Sequence, residues 1–336
     1  MMSAPASTPP KSAALSQRQL PDIPAYEGER WPWVGGDLQT LRDWMIGGMP
    51  HLAEGTELIL PQEDGDQLTG IYHHPERPAK AVLLIVHGLG GSAQSQHVAF
   101  TTSAALAAGY VVMRVNLRGA GSSRPLCRQS YNARRGVDII PFIEEMKRRH
   151  SDLPLFLAAF SLGGTAALNM VAEAPDKAGA LSGMISVSAP LDMVASNRQF
   201  HLMRNRPYVR YILSALQQLA QDTPDLAPHY VEAALRARTI TDFDEYVTAP
   251  LAGYQNAQAY YQAASMHDRL ADISLPLLLI HADNDPWIPS AAYRHARLGP
   301  NMQLHLTRGG GHVGFHQRHG RWYIKALLSY CDQLHP

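Results

Sequence analysis

Ala159-Phe160-Ser161-Leu162-Gly163-Gly164 lies between an apolar run, Leu153 to Phe160, and an alanine-rich run, Thr165 to Glu173. The first run is strand-like and the second helix-like, so the chain passes from strand to helix through one serine flanked by small residues. Such a junction is laid out as a nucleophile elbow, in which a tight turn thrusts the hydroxyl out at the carboxyl end of a sheet. The turn wants little or no side chain two positions before and two after the serine. Gly163 meets that demand fully, and Ala159, a departure from glycine, nearly so. Two readings are open at this point: Ser161 as an acyl-transfer nucleophile, or Ser161 as a cap for the helix behind it.

The alternation of strand and helix repeats on both sides. Lys80 to His87, Tyr110 to Asn116, Ala180 to Ser188, Leu275 to His281 and Met302 to Thr307 have strand patterns. Ala99 to Ala108, Ala133 to His150, Ser290 to Arg297 and Gln317 to Leu334 have helical ones. Glu57 to Pro61 and Gln67 to His73, split by the turn-forming Glu63-Asp64-Gly65-Asp66, look like a hairpin. This order implies an α/β fold with a mainly parallel sheet covered on both faces. The pattern breaks between Leu191 and about Pro250, where Val209, Ile212, Leu213, Leu216 and Leu219 mark one face of a helix. An insertion there is predicted to be a helical cap over the carboxyl edge, the edge at which open α/β sheets bind ligands. Trp31 and Trp33 are expected to pack over the domain.

The bulk numbers narrow the classes. A chain of 336 residues can be one large α/β domain or two ordinary ones. Lys plus Arg and Asp plus Glu are equal at 29 each, so no global field draws the protein to nucleic acid or to an anionic membrane. Cys127 and Cys331 are too few for a disulfide framework and lack metal-ligand spacing, which makes a reducing, cytoplasmic setting the default. The longest apolar runs, Ala81 to Val86 and Leu275 to Ile280, are strand-sized and far short of the ~20 residues that span a bilayer. A soluble protein without an integral membrane segment is expected. Residues 1–24, rich in Ala, Ser and Pro and without an apolar block, read as a mobile tail, leaving the domain at 25–336.

A serine hydroxyl becomes a competent nucleophile when a histidine takes its proton and a carboxylate fixes that histidine. In this topology the chain order should be serine, acid, histidine. Gly309-Gly310-Gly311-His312-Val313-Gly314-Phe315 follows the last predicted strand, and its glycines can carry His312 back over the sheet edge. His305 lies inside a strand pattern, and His316 and His319 fall at the start of the final helix. The acid should follow the preceding strand, where Asp283 and Asp285 both qualify; Asp285, further out and stiffened by Pro286, is favoured. Asp283 is then expected to bond its own backbone. An oxyanion needs main-chain donors: Leu162 next to the serine, and Leu89 in His87-Gly88-Leu89-Gly90-Gly91. His87 and Arg118 are expected to brace loops. Asn116-Leu117-Arg118-Gly119-Ala120-Gly121-Ser122-Ser123 lacks both G-x-G-x-x-G and a P-loop lysine, so no nucleotide site is expected. No cofactor or metal is expected either.

Together these segments resemble the YheT-like branch of the α/β-hydrolase fold, from about Trp31 to the end. The resemblance rests on Gly36-Asp37-Leu38-Gln39-Thr40, His87 to Ser92, Asn116 to Gly119, Phe160 to Gly164, Phe243-Asp244-Glu245, Thr248-Ala249-Pro250-Leu251 and Gly310 to Phe315. It implies a sheet of about eight strands and esterase- or lipase-like hydrolysis through Ser161, Asp285 and His312. The family's acid motif usually has two aspartates before a proline; here Asn284 replaces the first and Asp285 stands in the acting place. The expected reaction is cleavage of a carboxylic ester of a small-molecule or lipid-like substrate through an acyl-enzyme. The alternatives are transfer of the acyl group to an alcohol and a non-catalytic scaffold. An apolar acyl pocket lined by Leu, Met and Tyr is expected under the cap, and Arg198, Arg204, Arg206 and Arg210 could meet an anionic head group or simply face solvent.

Overall fold

The computed structural model describes residues 20–335. Eight strands form one sheet: β1 (Thr56–Pro61), β2 (Gln67–His73), β3 (Ala81–Val86), β4 (Tyr110–Val115), β5 (Leu155–Phe160), β6 (Gly183–Val187), β7 (Leu277–Ala282) and β8 (Met302–Thr307). Their spatial order is β1-β2-β4-β3-β5-β6-β7-β8, antiparallel at β1-β2-β4 and parallel from β4 onward. The central strands β3, β4, β5, β6 and β7 are buried along their whole length. That burial is why they read as unbroken apolar runs without alternation.

The layers on the two faces are α1 (Gly36–Ile46), α2 (Gln96–Ala107), α3 (Ile140–Arg149), α4 (Leu162–Glu173) and α5 (Pro175–Ala178). Between β6 and β7 run α6 (Met193–Phe200), α7 (Arg206–Asp222), α8 (Pro228–Arg236), α9 (Ile240–Phe243), a π-helical turn over Asp244–Thr248, α10 (Ala249–Leu251) and α11 (Ala257–Ala264). After them come α12 (Ala291–Arg294), a hairpin of β9 (His316–Gln317) and β10 (Gly320–Arg321), and α13 (Trp322–Leu334). The helices between β6 and β7 carry a core of their own, in which Ile212, Leu213 and Leu216 of α7 meet Ile240, Phe243 and Val247.

Several expectations need correction. The helix predicted from Ala133 begins only at α3, after a 3-10 turn, because Gly136 is pressed onto α4: a Cβ there would come within 2.0 Å of the Ala166 carbonyl oxygen. The final helix starts at Trp322 rather than Gln317. Gly320, at φ 91°, lets the chain fold as a hairpin first, so His316 and His319 are not on that helix. Trp31 does not pack over the domain but is 82% exposed. Of the predicted tail 1–24, residues 1–19 lie outside the described residues. Residues 20–24 are held to α13: Ile23 is buried, the Asp22 N–H donates to Gln333 Oε1 at 2.7 Å, and Trp322 Nε1 donates to the Pro24 carbonyl at 2.6 Å.

The strand order positions the site. Chain progression reverses at β3, which has β4 on one side and β5 on the other, and ligands gather outside the carboxyl ends at such a switch. Val86 at the end of β3 is paired with Ala159 near the end of β5, so the loop after β3 emerges beside Ser161.

Candidate active site

Ser161 leaves β5 with φ 50° and ψ −128°, a conformation that side-chain-bearing residues rarely adopt. Main-chain bonds on both sides hold it there: Ser161 N–H donates to Val187 O at 2.9 Å, and Gly164 N–H donates to Ser161 O at 2.8 Å. A Cβ on Gly163 would sit 2.1 Å from the His87 carbonyl oxygen, and one on Gly164 within 2.9 Å of Ala189 Cβ. The small residues of the elbow are therefore required by contact with the neighbouring loops.

His312 Nε2 lies 2.9 Å from Ser161 Oγ, and His312 Nδ1 lies 2.8 Å from Asp285 Oδ2. The other carboxylate oxygen of Asp285 accepts the N–H groups of Trp287 at 2.8 Å and Ile288 at 3.0 Å. Burial works to raise the Asp285 pKa, but the charge and hydrogen bond of His312, with the Trp287 amide, outweigh it and hold the carboxyl below its ordinary range. His281 Nδ1 lies 3.9 Å from Asp285 Oδ2; burial lowers its pKa to about 4, so it stays neutral and does not compete with His312. The Trp287 ring covers the His312 imidazole at 4.3 Å between centroids. Asp283 is not part of this line. Contrary to expectation it does not bond its own segment but accepts the Gly309 N–H at 2.8 Å, anchoring the start of the histidine loop.

The anchors of that loop come from the far end of the chain. Glu29 Oε1 accepts Gly310 N–H at 2.8 Å and Asn284 Nδ2–H at 2.7 Å, while Asn284 Oδ1 accepts Gly311 N–H at 2.9 Å. Thr40 Oγ1 accepts the His312 N–H at 2.8 Å, and buried Gln39 accepts the His316 N–H at 2.7 Å. Nothing in the sequence marks Glu29; Thr40 falls in the Gly36-Asp37-Leu38-Gln39-Thr40 segment and Asn284 in the acid motif, but neither placement reveals that it holds the histidine loop. Thr40→Val keeps the shape and leaves the His312 amide without its acceptor, a cost of about 1–3 kcal/mol. We expect it to lower kcat about tenfold with an unchanged circular dichroism spectrum. Steady-state kinetics at matched folding checks this, and wild-type kcat would mean that the bonds at Gly309, Gly310 and Gly311 suffice to hold the loop.

Leu162 is the first residue of α4 and Leu89 lies in the loop after β3, and neither backbone N–H has an acceptor among the described residues. Gly88 brings this loop against the serine, since a Cβ there would lie 2.9 Å from Ser161 Cβ. His87 is buried and braces the loop, its Nδ1 2.8 Å from Gly88 O and its Nε2 accepting Leu117 N–H at 3.1 Å. Burial lowers its pKa to about 4, consistent with this neutral, bridging role. Arg118 is likewise buried and gives two 2.8 Å bonds to Asp138, with Asp64 and Asp66 beside it.

Ser161 and His312 open into a cavity of about 830 Å³. Its walls include Leu41 and Trp44 of α1, Phe160, Met193, Ile212 and Leu216, with Leu89 at the serine end. Three aspartates also reach it, each already engaged: Asp37 by Arg204 and Tyr208, Asp43 by Arg321, Asp244 by Tyr261. Of the arginines singled out in the sequence, Arg204 lines the cavity and Arg198, Arg206 and Arg210 do not. Among the described residues no three His, Cys, Asp or Glu side chains are grouped to hold a metal ion.

Comparison with known proteins bears on this geometry. The profile of the hydrolase family described as Serine aminopeptidase, S33 matches residues 77–318. A monoacylglycerol lipase of Saccharomyces cerevisiae is 28% identical over 284 residues, which are 79% of this chain and 63% of the yeast protein. This chain thus spans less than two thirds of that relative. YheT of Escherichia coli (strain K12) is 29% identical over 77% of either chain. Among solved structures, the Pyrococcus furiosus esterase Pf2001 superposes with a TM-score of 0.56 over 85% of this chain and 97% of its own, at 13% identity. The superposition shows a shared α/β-hydrolase fold.

Proposed function

The chain belongs to the hydrolase family described as Serine aminopeptidase, S33, and from that membership we propose that it cleaves carboxylic esters through an acyl-enzyme on Ser161. The observation that carries the reading is the unbroken line from Asp285 Oδ2 to His312 Nδ1 at 2.8 Å and from His312 Nε2 to Ser161 Oγ at 2.9 Å. In the proposed course, Ser161 Oγ attacks the ester carbonyl carbon while its proton passes to His312 Nε2. The Asp285 carboxylate holds Nδ1–H and offsets the charge of the imidazolium. The carbonyl oxygen, now an oxyanion, receives the N–H groups of Leu89 and Leu162, each such donor being worth about 3 kcal/mol. Collapse breaks the bond to the alcohol, which leaves with the proton from His312. Water, deprotonated by the same histidine, then releases the acid and restores the serine.

Esters fit the site better than aminoacyl substrates. An α-ammonium group needs a free ionised carboxylate nearby; Asp37 and Asp43 are paired with arginines, and Asp244, bonded by the Tyr261 hydroxyl, has its pKa raised to about 6 by burial, which disfavours its charged form. The apolar walls favour an acyl chain, in keeping with a relative named monoacylglycerol lipase. We further propose that the helices between β6 and β7 act as the cap that closes this cavity. A fluorophosphonate probe should label the tryptic peptide carrying Ser161, and p-nitrophenyl esters from acetyl to palmitoyl should be hydrolysed with a preference set by the cavity. Absence of labelling together with absence of turnover would return the chain to a non-catalytic scaffold. Product analysis with added alcohol separates hydrolysis from acyl transfer.

A further inference from the structure

Helix α1 is built inside out. Its buried residue is the polar Gln39, whereas Leu38, Trp44, Met45 and Ile46 face outward, Trp44 at 73% exposure. Met49 just beyond the helix is also exposed. A surface helix ordinarily shows the opposite distribution, and clustered exposed apolar side chains of this size mark a contact surface. The cluster continues onto a second element: Met203 is 68% exposed and Tyr211 of α7 is 72% exposed. The two elements are tied together at the Asp37 carboxylate, which takes a 2.6 Å bond from Arg204 and a 2.8 Å bond from Tyr208. Trp44 and Tyr211 are at once among the most exposed apolar residues and part of the wall of the cavity that holds Ser161. They therefore stand at its mouth, one on α1 and one on α7, with the other exposed apolar residues on the same two segments.

Charge says what the rim faces. Overall the chain is neutral, but from residue 193 to 221 it carries four arginines and no Asp or Glu. Arg204 is paired with Asp37; Arg198, Arg206 and Arg210 are exposed and have no carboxylate partner among the described residues. Arg206 and Arg210 are one turn apart on the exposed side of α7, on the flank bordered by the buried Leu213, and the exposed Tyr211 lies on the flank that lines the cavity. Large exposed apolar side chains at the mouth of an apolar cavity, with unpaired arginines on the exposed side of the same helix, are complementary to a layer of anionic head groups over acyl chains. No helix among the described residues is long and apolar enough to cross a membrane.

We infer that the rim formed by α1 and the 198–211 segment docks the cavity mouth onto an anionic lipid surface, delivering acyl esters from that surface to the cavity. Delivery rests on the ester-hydrolase reading; docking does not, because it is measured without turnover. The test is co-sedimentation of the full chain with vesicles of phosphatidylcholine alone or with 30 mol% phosphatidylglycerol (about a third anionic, a common choice for reading the head-group attraction). Binding should be at least ~10-fold stronger to the anionic vesicles and should weaken from about 0.05 to 0.5 M NaCl. Ser161→Ala should bind like wild type. The triple variant Met45→Ser, Ile46→Ser, Met203→Ser and the double variant Arg206→Glu, Arg210→Glu should each bind ~10-fold more weakly. Neither should change hydrolysis of water-soluble p-nitrophenyl acetate, since none of these five side chains lines the cavity. Failure to sediment with either vesicle, equal binding to both, or wild-type binding by both variants would overturn the inference. So would a chain that is dimeric in solution and made monomeric by the triple variant, because the rim would then be a self-association face.

Discussion

Ser161→Ala is expected to lower kcat on p-nitrophenyl butyrate by at least ~10⁴-fold while leaving the thermal midpoint nearly unchanged. The size of the loss follows from the proposed single nucleophile: without Oγ, His312 can at best activate water, and the proposed main-chain donors at Leu89 and Leu162 would retain only the residual catalysis of an oxyanion site. The small effect on folding follows from the contacts of the side chain. Oγ makes one hydrogen bond, to His312 Nε2, and the strained φ of 50° is held by main-chain bonds that alanine keeps. The variant should also lose fluorophosphonate labelling. Turnover within tenfold of wild type, in a preparation free of wild-type protein, would move the chemistry away from residue 161.

How much of this was readable beforehand depends on whether the determinant was local. The elbow was local, because the small residues around Ser161 are demanded by the turn they occupy, and the sequence displays them side by side. His312 was local too, flagged by the glycines that carry its loop. What was missed acts across the chain. Glu29 reaches Gly310, and Thr40 reaches His312, over separations of 281 and 272 residues, and no periodicity encodes such a pairing. Helix α1 escaped notice for a physical reason, since its pattern is apolar outside and polar inside, so a search for a buried apolar face finds none. Asn284 is a further case. Read from the sequence as standing in for the first aspartate of the acid motif, it donates to Glu29 Oε1 while accepting from Gly311 N–H. An aspartate could do only the second and would set two carboxylates against each other.

The choice between Asp283 and Asp285, open in the sequence, yields the sharpest contrast in expected activity. Asp285→Asn should lower kcat by about 10⁴-fold, whereas Asp283→Asn should stay within about threefold of wild type. The argument for the first is one of orientation. Trp287 and Ile288 both donate N–H to Asp285 Oδ1, so an asparagine must place its amide oxygen there and turn its NH₂ toward His312 Nδ1. Nδ1 would become the acceptor, the ring proton would move to Nε2, and the nitrogen facing Ser161 would donate where it has to accept. At position 283 the amide oxygen can still accept from Gly309 N–H, and the side chain is exposed, so little is lost. Stability adds an independent sign. Because the folded-state pKa of Asp285 is depressed, its ionisation stabilises the fold above the ordinary value of 3.8, and that contribution is lost as pH falls through the lowered value. Any advantage of wild type over Asp285→Asn in thermal midpoint should therefore be present at pH 7 and shrink on acidification below about 4. Equal losses of activity in the two variants would mean that both carboxylates reach the imidazole in solution, contrary to the 2.8 Å contact that Asp285 alone makes.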